Sequence, residues 1–562
     1  MEKRVFLAIL LSFAVLAIYQ SVFPPVRPTP AAIDQPASAP QQAAAPAPAA
    51  PAPVAPTAAP IVADATAREV VVETDAVRAV FSTAGATLVS WQLKNYLENG
   101  EPLELLPTDI PAEVPRAFDI STNDPALSRT LATALYRPSA DGLTLGSAPG
   151  QLAFDYRDES GLNVRKTFYF QPEGRPYVLK VEAAVDQGGA SRPVTVSSGA
   201  VVGTGQEDGG FYHVSVRAVQ EIDGDADHLS ADDLSEQARY EGTFAFAGVD
   251  NQYFLVAVLP GNEPVRLDYT AIPLPALPGT TADGRGLMNF DVSVPGSFAL
   301  PYYLGPKEFS TLREARTELV RAIDFGFLAP IVVVLLQALK WVHGFVGNWG
   351  WAIVVLTLII NIIIFPLRHR SMVSMKKMQA LQPQVKAIQE RYAKYKVTDP
   401  ERQKMNQEMM GLYREKGVNP VAGCVPMLLT LPVLFAFYSL LSAAIELRGA
   451  PFFGWITDLS RHDPLYITPV LMGVSMLVQQ RMMPTTADPI QQKVFLLMPV
   501  IFTVSFLWAP SGLVVYWFVS NILAIGQQTL TNRMIGATAP AVANSAAARR
   551  VKAARSKESG QS

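Results

Sequence analysis

The sequence predicts a membrane α-helical bundle joined to a separate antiparallel β-sandwich domain outside the bilayer. Apolar runs long enough to cross a bilayer fill the C-terminal part, and short strand patterns divided by turns fill the N-terminal part. Residues 24–345 contain 22 Lys and Arg against 38 Asp and Glu, whereas residues 346–562 contain 22 against 10. The total charge of −3 therefore conceals an acidic soluble part and a basic membrane part.

The first 23 residues predict a transmembrane anchor. Lys3 and Arg4 precede an apolar run that ends at Phe23. A cleaved signal peptide is the alternative, but two prolines follow here in place of a small-residue cleavage site. We therefore expect residues 1–23 to be an uncleaved anchor whose N-terminus is cytoplasmic. Residues 24–66 are rich in proline and alanine, which predicts an extended spacer.

Residues 67–324 predict the β-sandwich domain with a helix at its end, from 311 to 324. Patterns rich in Val, Phe, Tyr and Thr occur at 69–74, 77–81, 87–93, 163–170, 177–184 and 254–259. Such short strands without helices between them are typical of an antiparallel sandwich. The acidic stretch from Asp223 to Asp233 could supply oxygen ligands to calcium, but it lacks the spacing of a calcium loop. We interpret it as a solvated loop.

Residues 325–346 are apolar and are predicted to form an interfacial helix. A crossing here would place residues 368–420 outside the cell membrane, and these carry 12 Lys and Arg against 5 Asp and Glu. That placement would violate the positive-inside rule. We therefore expect the helix to lie on the outer surface, with Lys340 and Trp341 at the level of the lipid headgroups.

The membrane part, residues 347–535, is predicted to hold five transmembrane helices. They cover about 350–367, 421–445, 465–483, 494–508 and 513–530. With the anchor they make six crossings, so both termini are expected to be cytoplasmic. The basic tail, residues 536–562, then lies where the charge rule requires. It could contact anionic lipid or ribosomal RNA, or serve solubility alone.

A helical hairpin is predicted for residues 371–417, between the first two of these spans. Its first helix carries an apolar stripe made of Met375, Met378, Leu381, Val385, Ile388 and Tyr392. Its second helix begins at Asp399 and Pro400, with a stripe of Met405, Met409 and Leu412. The methionines either pack the hairpin itself or hold varied apolar partners.

Apart from Arg481 near the end of the span at 465–483, the five spans contain no Asp, Glu, Lys or Arg, which argues against an ion-coupled transporter. They contain neutral polar residues instead, and each of these needs a partner in hydrocarbon. That partner is either a polar group on a neighbouring helix or water in a cavity open to lipid. The residues are Thr357, Asn361, Thr430, Ser439, Ser442, Ser475, Gln479, Thr503, Ser511, Ser520, Asn521 and Gln527.

Several ordered strings in the membrane part resemble the YidC family of membrane protein insertases. They are Asn419-Pro420, Gly423 to Pro426, Leu447 to Phe452, Trp455 to Leu459, Pro484 to Thr486, Pro499 to Thr503 and Pro510 to Val514. The N-terminal half resembles the form of the family with a large periplasmic domain, in the inner membrane of a double-membraned bacterium. The resemblance implies five helices around a hydrophilic groove, open to the cytoplasm and to lipid.

The family's function implies that this chain inserts and helps fold nascent membrane proteins, alone or with the Sec translocon. The ribosome could dock on the hairpin and the basic tail. No cofactor, metal or covalent chemistry is implied, so we do not expect an enzyme.

The expected substrate groove contains Asn361, Thr357, Thr430, Gln479, Tyr516 and Trp517. The family usually places an arginine where this chain has Asn361, and a tyrosine where it has Trp517. An amide can hydrogen-bond but carries no charge. The sequence therefore predicts a groove that keeps its hydration and loses its attraction for acidic segments.

Two other functions are weighed against this one. A channel or transporter would need an ion site or repeated halves, and neither is visible. A sugar-binding or sugar-modifying protein is suggested by Ala84 to Trp91, which resembles galactose-mutarotase-like sandwiches. Such an enzyme would need paired His and Glu in a cleft, and the domain offers only His213 and His228 before its helical end.

Overall fold

The computed structural model describes residues 58–98, 100–107, 110–111, 114–201, 216–274, 285–395, 399–417, 425–482 and 489–534. For 274, 285, 425–431 and 489–495 only the backbone is described. The expected N-terminal anchor, most of the spacer, Cys424 and the basic tail lie outside the described residues.

The N-terminal part forms β-strands, as its alternating apolar pattern predicts. In the described residues they are β1 Pro60–Val62, β2 Glu69–Thr74, β3 Val77–Ser82, β4 Thr87–Glu98, β5 Glu101–Glu104, β6 Ile120–Ser121, β7 Arg137–Pro138, β8 Gly142–Gly146, β9 Gly150–Asp158, β10 Leu162–Phe170, β11 Val178–Gln187, β12 Ala190–Arg192, β13 Thr195–Ser197, β14 Arg217–Ile222, β15 Asp225–Leu229, β16 Arg239–Thr243, β17 Ala247–Asp250, β18 Phe254–Val258, β19 Pro264–Leu274, β20 Arg285–Ser293 and β21 Phe298–Pro306. The strand at each of the six predicted positions is confirmed, with ends that differ by a few residues.

These strands form one large sheet and two five-stranded sheets. The large sheet runs in the order β1-β9-β10-β11-β21-β18-β17-β14-β15, with β7 and β12 paired at its side. The smaller sheets run β5-β4-β3-β2-β8 and β16-β19-β20-β13-β6. The antiparallel character predicted for this domain is confirmed, and among the described strand pairs β2 and β8 alone are parallel. A long connection that includes a helix separates these two strands, and a parallel pair requires such a crossover.

Aromatic side chains join the large sheet to both smaller sheets. Phe81 of β3 lies 4.6 Å from Phe168 of β10, measured between ring centroids. The indole of Trp91 in β4 donates to the carbonyl of Leu304 in β21. On the other smaller sheet, Phe290 of β20 stacks at 6.4 Å on Tyr302 of β21. The three sheets therefore share one apolar core, as a sandwich requires.

Helices occupy the C-terminal part and three positions in the β domain. In the described residues they are α1 Pro125–Thr133, α2 Ala231–Glu236, α3 Phe309–Ala315, α4 Ala329–Val346, α5 Trp349–Arg391, α6 Pro400–Glu415, α7 Val425–Ala443, α8 Ile467–Met482, α9 Pro489–Ser505 and α10 Ser511–Met534. The predicted helix over 311–324 is divided, since α3 ends at Ala315 and a 3₁₀ segment follows at Thr317–Ala322.

Helix α5 extends farther than its sequence predicts. The first span was expected to end near residue 367 and the hairpin to begin at 371, but one continuous helix of 43 residues contains both. It passes through Pro366 and Pro383. At 1.5 Å per residue its length is about 65 Å, about twice the thickness of a bilayer core. The hairpin's first helix is therefore a direct extension of the span.

The hairpin forms as predicted beyond that point. The Asp399 side chain accepts a hydrogen bond from the amide of Glu401 at 3.0 Å, so it caps α6. Leu381, Val385 and Ile388 of α5 are buried, as is Met405 of α6. An ion pair of 2.6 Å between Arg391 and Glu408 joins the two helices. These contacts support the simpler interpretation, in which the stripes pack against each other.

By length and composition, three described helical segments could cross a membrane. They are Gly326–Val346, Trp349–Arg391 and Ser511–Met534, and Pro432–Ala443 and Leu496–Trp508 are shorter apolar helices. The described C-terminal part thus holds helices suited to a membrane, while the number of crossings stays a prediction.

Lys340 does not have the surroundings expected of a headgroup contact. Its ammonium lies 2.7 Å from a carboxylate oxygen of Glu446, after α7, and 3.3 Å from one of Glu308, at the end of the β domain. Trp341 beside it is 63% exposed. Helix α4 therefore connects the β domain to the helical part through an ion pair at Lys340.

Candidate groove in the helical bundle

A cavity of about 160 Å³ lies among α5, α7 and α10. We call it the groove. Both apolar and polar side chains line it: Thr357, Ile360, Asn361, Ile364, Arg368, Val433, Leu434, Tyr516, Trp517 and Ser520. Four of the six predicted groove residues, Asn361, Thr357, Tyr516 and Trp517, are therefore brought together around one space.

Hydrogen bonds on one face of α5 hold the polar side of the groove. The Asn361 amide nitrogen donates to the carbonyl of Thr357 at 2.8 Å. Its amide oxygen accepts from a guanidinium nitrogen of Arg368 at 2.8 Å. The Thr357 hydroxyl donates to the carbonyl of Ile353 at 2.6 Å, so its hydrogen-bond donor is already used within the helix. Asn361 thus uses both ends of its amide within α5.

Arg368 was not among the predicted groove residues, because the first span was expected to end near residue 367, before the basic cluster of Arg368, His369 and Arg370. It follows Asn361 by seven residues, or about two helical turns, so both side chains lie on the same face. Its guanidinium turns back along α5 and reaches the groove. The i, i+7 spacing was a signal that could have identified it. The expectation that this groove lacks a cation was therefore wrong.

Aromatic contacts form the wall on the α10 side. The Tyr516 ring stacks on Phe437 of α7 with 4.4 Å between centroids and 5° between planes. Between ring centroids, Trp517 lies 5.7 Å from Phe502, in the last turn of α9, and 5.1 Å from Phe506, just after that helix. These rings fix the wall, while Ser520 adds a hydroxyl one turn farther along α10.

The other two predicted groove residues differ in their outcome. Gln479 lies on α8 and does not line the groove. The side chain of Thr430 lies outside the described residues, although its backbone belongs to α7.

Most of the remaining polar residues that the structure describes in the spans bond either to another part of the chain or within their own helix. Asn521 donates to the Ser475 hydroxyl at 3.0 Å, and Gln527 donates to the carbonyl of Phe365 at 3.3 Å. Ser511 donates to the carbonyl of Asp458 at 3.0 Å. Thr503 donates within α9, to Pro499. Composition alone could not separate these residues from the groove residues, because both groups are neutral and polar.

The β domain holds a larger cavity, of about 330 Å³. It lies beside strands β13, β16, β19 and β20 of the second small sheet. Glu241, Arg266, Thr195 and Ser293 supply polar groups to its lining. No histidine is among the described residues that line it. His228 instead lies 3.4 Å from buried Asp250. The paired His and Glu that a mutarotase-like site would need are therefore not brought together in this cavity.

The acidic stretch considered for calcium has a structural role in its second half. Ser230 and Asp233 form a reciprocal cap at the start of α2, in which the Ser230 amide donates to the Asp233 carboxylate at 2.8 Å. Among the described residues, no group of three or more His, Cys, Asp or Glu is placed to hold a metal ion.

Comparison with known proteins covers both halves of the chain. The model of a family described as 60Kd inner membrane protein matches residues 341–538, and that of the YidC periplasmic domain matches residues 69–338. A curated relative from Geobacter metallireducens, named membrane protein insertase YidC, is 36% identical over 96% of this chain and 99% of its own.

Solved structures give weaker similarity. One titled as an active YidC insertase covers 84% of this chain and 94% of its own, with 19% identity and a TM-score of 0.33. A galactose mutarotase related enzyme from Lactobacillus acidophilus covers 42% of this chain and 97% of its own, with 11% identity and a TM-score of 0.27. Family models over both halves, together with the curated relative, establish that the chain belongs to the YidC family of membrane protein insertases.

Proposed function

We propose that the groove among α5, α7 and α10 is the path by which this insertase passes client segments into the bilayer. The observation that supports this most is the set of polar groups, Asn361, Arg368 and Ser520, around one cavity in an otherwise apolar bundle. A polar flank of a client meets a large free-energy cost in hydrocarbon. Polar and hydrated walls lower that cost without a covalent step.

The outer surface of the bundle is suited to lipid. Ile362 and Ile363 of α5 are 62% and 69% exposed, and Val500, Ile501 and Val504 of α9 are each about half exposed. Large apolar side chains exposed together on a helix are stable mainly against lipid or an apolar partner. An apolar client helix that leaves the groove would therefore enter the lipid that surrounds this apolar surface.

The proposed orientation follows the distribution of charge. The basic end of α5 and the hairpin lie in the cytoplasm, the β domain lies in the periplasm, and both termini are cytoplasmic. The membrane is then the bacterial inner membrane. Helix α4 lies at the periplasmic surface, held by Lys340, with exposed Trp341 and Phe345 toward lipid.

The clients are nascent membrane proteins, which reach the groove alone or beside the Sec translocon. The hairpin is the proposed receiving element for a ribosome, because it is basic and extends the groove-lining helix α5 into the cytoplasm.

The test is insertion of a single-span client into liposomes that contain the full-length protein, measured by protection from protease. We expect Ser520→Phe, which fills the groove, to slow insertion strongly. Ile522→Phe is the matched control, because Ile522 is 48% exposed on the same helix and its side chain already faces outward. Equal insertion by wild type and Ser520→Phe, with both proteins folded, would contradict the proposed path.

A further inference from the structure

We propose that Gln527 and Thr531 of α10 are positioning residues for insertion. They bond α5 on both sides of Pro366 and so fix the direction in which the hairpin leaves the groove. This inference rests on the proposed function of the groove. It assigns a task to two buried polar residues that do not line the cavity themselves.

Pro366 is a weak point in the long helix α5. It lies inside the helix and has no N–H, so it cannot donate to the carbonyl of Ile362. Its ring also crowds that carbonyl, and prolines inside helices are therefore common sites of bends. From Pro366 to Arg391 the helix continues for about 25 residues, or about 37 Å. A change of about 20° in the bend would move that end by about 13 Å, so the direction of the hairpin depends on support from outside α5.

Two side chains of α10 supply contacts on either side of that proline. Gln527 donates to the carbonyl of Phe365 at 3.3 Å, one residue before Pro366. The Thr531 hydroxyl shares a hydrogen bond of 3.2 Å with Nδ1 of His369, three residues after it. Gln527 and Thr531 are four residues apart, as are Phe365 and His369, so the two bonds join facing stripes of the two helices. A change in the bend at Pro366 would have to stretch or break at least one of these bonds.

The end of α10 is itself fixed, so it provides a rigid support for α5. Gln528 donates to the carbonyl of Met482, the last residue of α8. Gln527, Gln528 and Thr531 are only 8%, 2% and 0% exposed. A buried polar group that loses its partner costs free energy, because no water replaces the partner. The three side chains therefore hold α5, α8 and α10 together at the hairpin end of the bundle.

These contacts lie just beyond the groove, between two of the helices that form it. Ser520 of α10 lines the groove, and Gln527 follows it by seven residues, or about 10 Å along the helix. On α5 the lining extends from Thr357 to Arg368 and so passes Pro366. The bend at Pro366 therefore sets both the direction of the hairpin and the position of the last part of the groove wall. A client segment received at the hairpin reaches the groove only when the two are aligned.

The first measurement follows the direction of the hairpin and needs no client. Spin labels are attached to cysteines placed at exposed Ala387 of α5 and exposed Val470 of α8, in full-length protein in liposomes, after Cys424→Ser removes the native cysteine. We expect one main distance between the labels in the wild type. The double variant Gln527→Leu with Thr531→Val should broaden that distance distribution or shift it by about 10 Å.

Two further variants are matched controls for the loss of the Thr531 hydroxyl. Thr529→Val makes the same chemical change on the same helix, but Thr529 donates to the carbonyl of Ile525 within α10. It should leave the label distance unchanged. Thr531→Ser keeps the hydroxyl and should also retain the wild-type distance, whereas Thr531→Val alone should broaden it.

Removal of the proline separates positioning from general stability. Pro366→Ala returns a backbone N–H to α5, so the helix keeps its direction without outside support. The double variant should slow insertion of a single-span client, delivered by a ribosome, by about threefold to tenfold when Pro366 is present. When Pro366→Ala is also present, adding the double variant should change the insertion rate by no more than about twofold and leave the label distance unchanged.

Three results would overturn the inference. They are an unchanged label distance in the folded double variant, an equal effect of Thr529→Val, and an equal loss of insertion with and without Pro366, which would mean that the contacts only hold helices together. Thermal unfolding in detergent shows whether each variant is folded, and if the double variant is not, Thr531→Val against Thr531→Ser decides by the same distance. Failure of the wild type to insert the client above empty liposomes would instead overturn the proposed function, while the distances would still test the positioning role.

Discussion

At the scale of single residues, a polar side chain in a span has one of two roles. Asn521 donates to Ser475 on the neighbouring helix α8, so its amide joins α10 to that helix. Within the described part of the chain, Asn361 bonds to its own helix α5, through Thr357 and Arg368, and faces the groove. The two residues have the same chemistry, and their surroundings decide the role.

Buried charge in the β domain leads to a prediction on pH. Asp250 is fully buried and lies 2.7 Å from Lys307, with Arg217 at 3.2 Å. Burial raises the pKa of Asp250, but Lys307, His228 and Arg217 outweigh it, so its pKa lies below the usual value. A carboxyl group with a lowered folded-state pKa stabilises the fold fully above its unfolded pKa, which is about 4. That stabilisation is lost as the pH falls from there through the folded-state pKa.

We therefore expect Asp250→Asn to destabilise the β domain at pH 7 by about 3 to 5 kcal/mol, because Lys307 is left buried without its carboxylate. The variant should also lose part of the wild type's dependence on pH below 4. Thermal unfolding of the full chain, followed by the β-sheet circular dichroism signal at pH 7 and 3, measures both effects. Asp155→Asn is the control, since Asp155 pairs with Arg165 on the exposed surface. A similar loss of stability in both variants would contradict this explanation.

At the scale of elements, the sequence predicted which strands and helices form better than it predicted where each one ends. The strand patterns and the cap at Asp399 were correct because they depend on local periodicity and on one side chain. The end predicted for the first span was wrong because Pro366 and the basic cluster resemble a helix stop. The helix nevertheless continues through Pro366, although a proline there removes one backbone donor and crowds the carbonyl four residues earlier. The parallel pair of β2 and β8 depends on contacts distant in sequence, which no local pattern reports.

The contact between α8 and α9 gives a second prediction. A β-carbon placed on Gly473 of α8 would collide with the Thr503 hydroxyl of α9, so the glycine permits the close approach of the two helices. We expect Gly473→Leu to destabilise the bundle by about 1 to 3 kcal/mol, as overpacking does. Thermal unfolding in detergent measures the change.

Gly526→Leu on α10 is the matched control for that substitution. Gly526 is exposed, and a β-carbon there would meet nothing within 4 Å. It changes helix propensity in the same way without a steric conflict. If the Gly473→Leu protein is as stable as the Gly526→Leu protein, the close packing of α8 and α9 does not depend on a glycine at position 473.

At the scale of the whole molecule, the β domain and the bundle are joined more closely than a flexible spacer would require. Gln252 donates to the carbonyl of Ser442 at 2.7 Å, and Arg448 donates to the carbonyl of Leu97 at 3.1 Å. Lys340 of α4 adds the ion pair with Glu446. The sequence predicted two domains and α4 between them, but these contacts join residues 100 or more positions apart and could not be read from it.

These contacts predict two different results for two deletions. Removal of residues 67–300 loses the contacts of Leu97 and Gln252 but retains α4 and its ion pair, so insertion should be largely kept. Removal of residues 67–346 also loses Lys340 and leaves Glu446 without its cation, so the periplasmic end of the bundle should be destabilised. Growth of a strain depleted of its own insertase, with immunoblots for expression, distinguishes the two. Equal failure of both stably expressed proteins would contradict this division.

Site-specific crosslinking tests directly whether clients pass through the groove. A photoreactive amino acid is placed at Ser520, in the groove, or at Ile522, on the outward side of the same helix. A client whose synthesis is arrested with its apolar segment just outside the ribosome is then irradiated with each protein in the membrane. We expect strong crosslinks to the client from position 520 and weak ones from 522. Crosslinks from 522 that equal or exceed those from 520 would contradict it.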